Sequence, residues 1–268
     1  MMGGESGLLD DTEKLDDIAA ILCQMEKNCP YPSSNSEKLW RLRHKKDIGT
    51  VSNTYRPEMW LERGLIRTTC DSDMTGWYNQ VPVASGICGS DGNKHRCVDL
   101  AEWTEKNGRL TLVELKWHDN KRLSGETPAD AVRQILRYGA VYLFCRMHKD
   151  KLPLNRRPVM AARNIKLQVV ATNSFYDKCE PEGYQKFKET LNNAQMSLKS
   201  IHEEFEGLDS ITLSVFAFPR DFNLPFKSDQ EFRDFFKRPN FKEAGQKIID
   251  AFINKRSLAS SVGEVANK

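Results

Sequence analysis

Apolar residues along this chain recur first with the period of a helix and then with the period of a strand, and the switch divides the sequence into elements. From Asp10 to about Lys27, Leu15, Ile18, Ala19, Ile21, Leu22 and Met25 return every three or four residues. This predicts an amphipathic helix with Asp11 or Thr12 as its cap. The stretch CPYPSSNS interrupts it, and a second helix is predicted from near Ser36. Its face of Lys38, Arg41, Arg43, His44, Lys45 and Lys46 suits either solvent or phosphates. In TYRPEMWLERGLI, Pro57 fits a first helical turn, Met59, Trp60, Leu61 and Leu65 supply an apolar face, and Gly64 offers an end.

Residues 77–103 change to strand character, with WYNQVPVASGI and RCVDLAEW on either side of a polar GSDGNKH link. A second turn, EKNG, leads into RLTLVELKW, so the three segments predict a meander. After a polar loop, HDNKRLSGETP, Pro128 opens a long helix through about His148. Its Ala129, Val132, Ile135, Leu136, Ala140, Val141 and Leu143 share a face that packs on the sheet. Two further strands are predicted near 165–172 and 210–218, and helices around 181–204, 229–236 and 241–255. This organisation gives a helical extension over residues 1–50, an α/β domain over 51–255 and a small, polar, flexible tail over 256–268.

A chain of 268 residues can bury a substantial core. Its 40 Lys and Arg against 37 Asp and Glu leave a net charge of +3, which neither demands nor excludes a polyanionic partner. Seven cysteines at irregular spacings, with no apolar leader ahead of them, fit thiols in a reducing cytoplasm better than a disulfide framework. No apolar run approaches a membrane span, so no membrane partner is expected. Cys88, His95 and Cys97 are the only close cysteines and histidines, and without a CxxC pair they read as hairpin residues rather than zinc ligands.

The chemistry centres on VELKW, residues 113–117. Alternation puts Glu114 and Lys116 on one side of a strand and Val113, Leu115 and Trp117 on the other. Asp99, flanked by Val98 and Leu100, is expected to point away from the face those neighbours bury. If the EKNG turn joins the two strands, Asp99 and Glu114 converge across the ladder. Two carboxylates held together repel, and a shared proton or a divalent cation relieves them; an oxygen-only donor set favours magnesium or manganese. A lysine alongside can position or deprotonate water and balance charge at phosphorus.

Asp99 followed by Glu114-Leu115-Lys116 resembles the PD-(D/E)xK nuclease superfamily, with Val98 where the superfamily's name has proline. QILRY, Gln134 to Tyr138, resembles the Q-x-x-x-Y element of RecB-like members, and RPEMWLE resembles the PERWLE-like segments of some bacterial members. The resemblance covers about residues 54–172. It implies an α/β, restriction-endonuclease-like fold: a central mixed sheet flanked by helices in α-β-β-β-α-β order, here with additional N- and C-terminal helices.

It also implies that Asp99 and Glu114 ligate Mg2+ or Mn2+, with the Leu115 carbonyl as a further ligand. Glu58, on the preceding helix, would supply a further carboxylate, with Glu62 as the fallback one turn later. Lys116 would orient or activate water, and Gln134 and Tyr138 would steady the site. His118, Lys121, Arg122, Arg133 and Arg137 supply positive charge close by for nucleic-acid phosphates. The expected activity is therefore a metal-dependent endonuclease acting on DNA, with a homodimer as an option where both strands are cut. The competing expectations are a catalytically silent nucleic-acid-binding or assembly protein on the same fold, and a nuclease selective for RNA or for branched structures.

Overall fold

The computed structural model describes residues 8–9, 11–29, 38–52, 54–70, 76–84, 87, 97–118, 126–152, 154–177 and 179–258. Among them the chain forms α1 (Ile18–Asn28), α2 (Pro57–Thr69), β1 (Trp77–Pro82), β2 (Cys97–Thr104), β3 (Arg109–Lys116), α3 (Pro128–Met147) and β4 (Asn164–Ala171). There follow α4 (Asn173–Asp177), α5 (Pro181–Ile201), β5 (Ser210–Ala217), α6 (Asp229–Phe235), α7 (Phe241–Ile253) and β6 (Arg256–Ser257). The six strands make one mixed sheet in sequence order. β1, β2 and β3 are antiparallel, β3, β4 and β5 are parallel, and β6 returns antiparallel. This is an α/β protein, as the alternating helix and strand periods predict, and its one sheet is mixed.

Two apolar layers clothe the sheet. On one face α1, α3 and α5 bury Ile21, Met25, Ile135, Tyr142, Phe187 and Leu198 with Leu110 and Leu112 of β3. On the other, α2, α6 and α7 bury Trp60, Leu61, Phe232 and Ile248 with Val113 and Leu115. α1 lies in the same cluster as α3, so this part of the N-terminal segment shares the core. No helix among the described residues is long and apolar enough to cross a membrane.

Local chemistry sets the helix starts. Thr127 and Asp130 form a reciprocal capping box ahead of Pro128, which fixes where α3 begins. α1 is capped by Asp17, whose carboxylate accepts from the amides of Ala19 and Ala20 at 2.8 and 3.2 Å. The earlier start at Asp11 or Thr12 is not taken. The Thr12 hydroxyl and amide both bond to the Leu9 carbonyl, and Asp11 sits at φ 62°, so a local turn outcompetes the helix.

Other expectations fail for tertiary reasons. No helix forms at residues 38–49; the Trp40 amide donates to the Pro82 carbonyl at 2.7 Å and the Asn79 amide to the Arg43 carbonyl at 3.1 Å. The segment thereby covers the otherwise open edge of β1. α2 runs through Gly64, where a β-carbon would meet Ile248 Cδ1 at 3.2 Å; the glycine admits α7 rather than ending α2. Arg256–Ser257 pair with Ala217 and Phe216 as β6, so these two residues of the expected tail belong to the sheet; residues 259–268 lie outside the described residues. Cys29 is disulfide-bonded, against the all-thiol expectation, while Cys23, Cys70, Cys97, Cys145 and Cys179 are free.

Candidate functional site

β2 stays paired to β1 as far as Pro82↔Cys97, but its ladder with β3 stops at Leu100↔Val113. β3 meanwhile stays with β4 to Lys116↔Ala171. The two strands therefore part, and the N–H groups of β3 beyond the split need other acceptors. Two carboxylates take them. Asp99 Oδ2 accepts from the Leu115 amide at 2.8 Å, and Glu58 Oε1, from α2, accepts from the Trp117 amide at 2.8 Å. The split lies at the carboxyl end of β3, which its parallel neighbour β4 shares, where ligand sites of open α/β sheets are found.

Strict alternation does not explain Asp99. Val98 belongs to the cluster beneath α3 and Leu100 to the cluster beneath α2, so the strand changes face at Asp99 itself. Opposite it, Gln80 has φ 49° and makes no ladder pair, which is where β1 and β2 twist together.

From the other side of the split come Glu114 and Lys116, both buried against α3. Lys116 Nζ lies 3.0 Å from Glu114 Oε1, 3.1 Å from Gln134 Oε1 and 2.6 Å from Glu126 Oε2. Gln134 Nε2 in turn donates to the Tyr138 hydroxyl at 3.1 Å, the i to i+4 relation expected of QILRY. Glu58, Asp99, Glu114, Lys116, Gln134 and Tyr138 thus lie around one split. Glu126 completes the group. The sequence reading missed it because GETP resembles a polar loop leading into a capped helix; the signal was an acid one residue ahead of the cap of the helix that carries Gln134.

Electrostatics mark the cluster. Burial raises the Asp99 carboxyl to about 6, against the pull of the Leu115 amide and Lys116, with Glu58 and Glu126 adding to the rise. Glu114 is pushed well above the ordinary glutamate value, first by burial and then by the charge of Asp99. Burial alone would lower Lys116, but Glu114, Glu126 and Asp99 reverse this and hold it as ammonium.

Glu62 belongs to a neighbouring network. It pairs with Arg63 at 2.9 Å and accepts from Asn79 and Gln80 at 2.6 and 2.8 Å, and burial raises its carboxyl to about 8. Glu58, not Glu62, meets the end of β3. Among the residues expected to supply charge to phosphates, Arg133 is bonded to Thr190 at 3.1 Å and lies 3.4 Å from Asp130, Arg137 is buried with Glu13 at 3.7 Å, and His118 is buried with its backbone bonded to Thr172. These three are engaged within the fold. Lys121 and Arg122 lie outside the described residues, as do Cys88 and His95.

The donor set fits a hard divalent cation in its chemistry. It is all oxygen, and Glu114 Oε2 is buried with no hydrogen-bond partner among the described residues. Among the described residues, however, no three His, Cys, Asp or Glu side chains are already grouped around a metal position. Asp99 and Glu58 are instead turned onto backbone amides. Comparison with family models, with curated proteins and with solved structures finds no match to this chain.

Proposed function

We propose that this protein is a metal-dependent nuclease with a restriction-endonuclease-like core, and that it hydrolyses phosphodiester bonds in DNA. The observation that carries the reading is the meeting, at the split between β2 and β3, of Asp99, Glu114 and the ammonium of Lys116 with the Gln134–Tyr138 pair behind it. The helix, three-strand, helix, strand order of α2 to β4 supports it as well.

Asp99 and Glu114 would hold Mg2+ or Mn2+, with the Leu115 carbonyl and Glu58 as further oxygen donors. When bound, such an ion supplies positive charge against the scissile phosphate and makes water more acidic. Lys116, freed of one of its present partners, would donate a hydrogen bond to the phosphate beside the attacking water, offsetting charge that grows at phosphorus. Gln134 fixes the direction of Lys116 Nζ, and Tyr138 fixes Gln134, so the ammonium is aimed before substrate arrives. Water oxygen bonds to phosphorus while one ester P–O bond breaks with its electron pair; the attacking water gives up a proton to solvent and the leaving oxygen takes one from solvent, leaving a phosphate monoester end and a hydroxyl end.

The test is nicking of supercoiled plasmid by purified protein with Mg2+ or Mn2+. Wild type should convert the plasmid, and Glu114→Ala or Lys116→Ala should slow conversion about a hundredfold or more while keeping the fold. Equal cutting by all three proteins defeats the reading. Metal-independent retention of DNA without cutting would favour the silent binding protein.

A further inference from the structure

Lys116 has three N–H donors, and three oxygens already lie within hydrogen-bonding distance of its Nζ. Two are fixed by the fold. Glu114 sits two residues away on the same strand and is 3% exposed; Gln134 is anchored on α3 by its bond to Tyr138. Glu126 is different. It lies outside the helix, one residue before the Thr127 cap, its side chain is 52% exposed, and it makes the shortest of the three contacts, 2.6 Å.

A lysine satisfied in this way has no donor left for a substrate. One acceptor must leave before Nζ can meet a phosphate oxygen. Moving Glu114 would strand a buried carboxylate and moving Gln134 would break its bond to Tyr138, whereas the half-exposed Glu126 carboxylate is already in reach of water and is solvated when it leaves Lys116.

We propose that Glu126 occupies the phosphate seat of this site: its carboxylate stands at Lys116 where a non-bridging oxygen of a phosphodiester binds, and substrate enters by displacing it. This rests on the nuclease reading and adds to it both the place of the phosphate and a carboxylate that keeps the ammonium covered in its absence. Glu126 acts through Lys116 and is a positioning residue. Because phosphate and carboxylate compete for one cation, neutralising Glu126 should strengthen binding of DNA through that cation alone.

The experiment is fluorescence anisotropy of a labelled 20-base-pair duplex in EDTA across a salt series, with wild type, Glu126→Gln, Lys116→Met and the double variant. Glu126→Gln should bind about fivefold tighter, the scale of one partly exposed ionic contact. Its plot of log K against log salt should steepen by about 0.9, the increment for one added phosphate contact. In the Lys116→Met background the same substitution should give no gain. Glu126→Ala, which removes the acceptor altogether, should move affinity the same way.

Unchanged affinity and slope for both Glu126 variants, or a gain that persists without Lys116, overturns the proposal. So does a failure of every protein to bind the duplex. Nicking by wild type decides the nuclease reading separately. Nicking without the affinity gain leaves the reading standing and sinks the seat; the gain without nicking does the reverse.

Discussion

Asp99→Asn isolates the charge of one acid. The substitution keeps an oxygen to accept the Leu115 amide, which Asp99 Oδ2 now does at 2.8 Å, and removes only the ionisation. The Asp99 carboxyl is raised from 3.8 to about 6, first by burial. A raised acid in the folded state contributes stability that is full below its unfolded pKa and is lost as pH rises through the folded one. Here that window runs from about pH 4 to about pH 6.

At pH 8 the ionised carboxylate therefore costs about 3 kcal/mol, two pKa units and a little more at about 1.4 kcal/mol each. The cost shrinks as pH falls through 6 and is mostly gone by pH 4. Metal-free Asp99→Asn should accordingly be more stable than wild type at pH 8, by about 5 °C in Tm for a chain of this size, and should approach it at pH 4. Differential scanning calorimetry in EDTA at these pH values measures this. Added Mn2+ should then stabilise wild type and leave the variant unmoved. A variant less stable than wild type at pH 8 would refute the reasoning, since Asp99 would then be serving the fold rather than straining it.

Tyr138→Phe removes the hydroxyl that anchors Gln134, so the nicking rate should fall about tenfold with little change in Tm; an unchanged rate would free Tyr138 from any part in aiming Lys116. Thr127→Ala breaks the α3 capping box and should cost about 1 kcal/mol in urea unfolding. Asp229, buried and bonded to Trp60 Nε1 at 2.6 Å, to the Ser52 amide at 2.8 Å and to Arg56, should lose about 3 kcal/mol or more on change to Ala, and a neutral result there would deny the contact network between α2 and α6.

Much of the scaffold could be read from the pattern of the chain, because its signals are local. The period-two runs on either side of EKNG give β2 and β3, Gly108 at φ 56° closes the turn, and Pro128 marks the start of α3. The pairing of Glu114 with Lys116 on the α3 face follows from alternation alone. What escaped depends on partners distant in sequence. Residues 38–49 carry helix-compatible side chains but bond to β1, and Gly64 looks like a helix end until α7 lies against it.

Asp99 reached the site for a reason alternation does not contain. Its strand twists opposite Gln80, and its carboxylate fills the ladder position that β2 and β3 abandon. Glu126 was illegible for a similar reason: only the packing of α3 on β3 brings the residue before its cap within 2.6 Å of Lys116. The engaged guanidinium groups of Arg133 and Arg137 show the converse, since closeness in sequence to Gln134 did not leave their charge unspent.

The most direct measurement is anomalous diffraction from a crystal of the protein soaked in Mn2+. The account predicts a manganese peak between the carboxylates of Asp99 and Glu114, with Glu114 Oε2 no longer unpartnered and Lys116 Nζ still beside it. Two acids left on their amide and ammonium partners with no peak between them, at a manganese concentration that fills other sites, would contradict it.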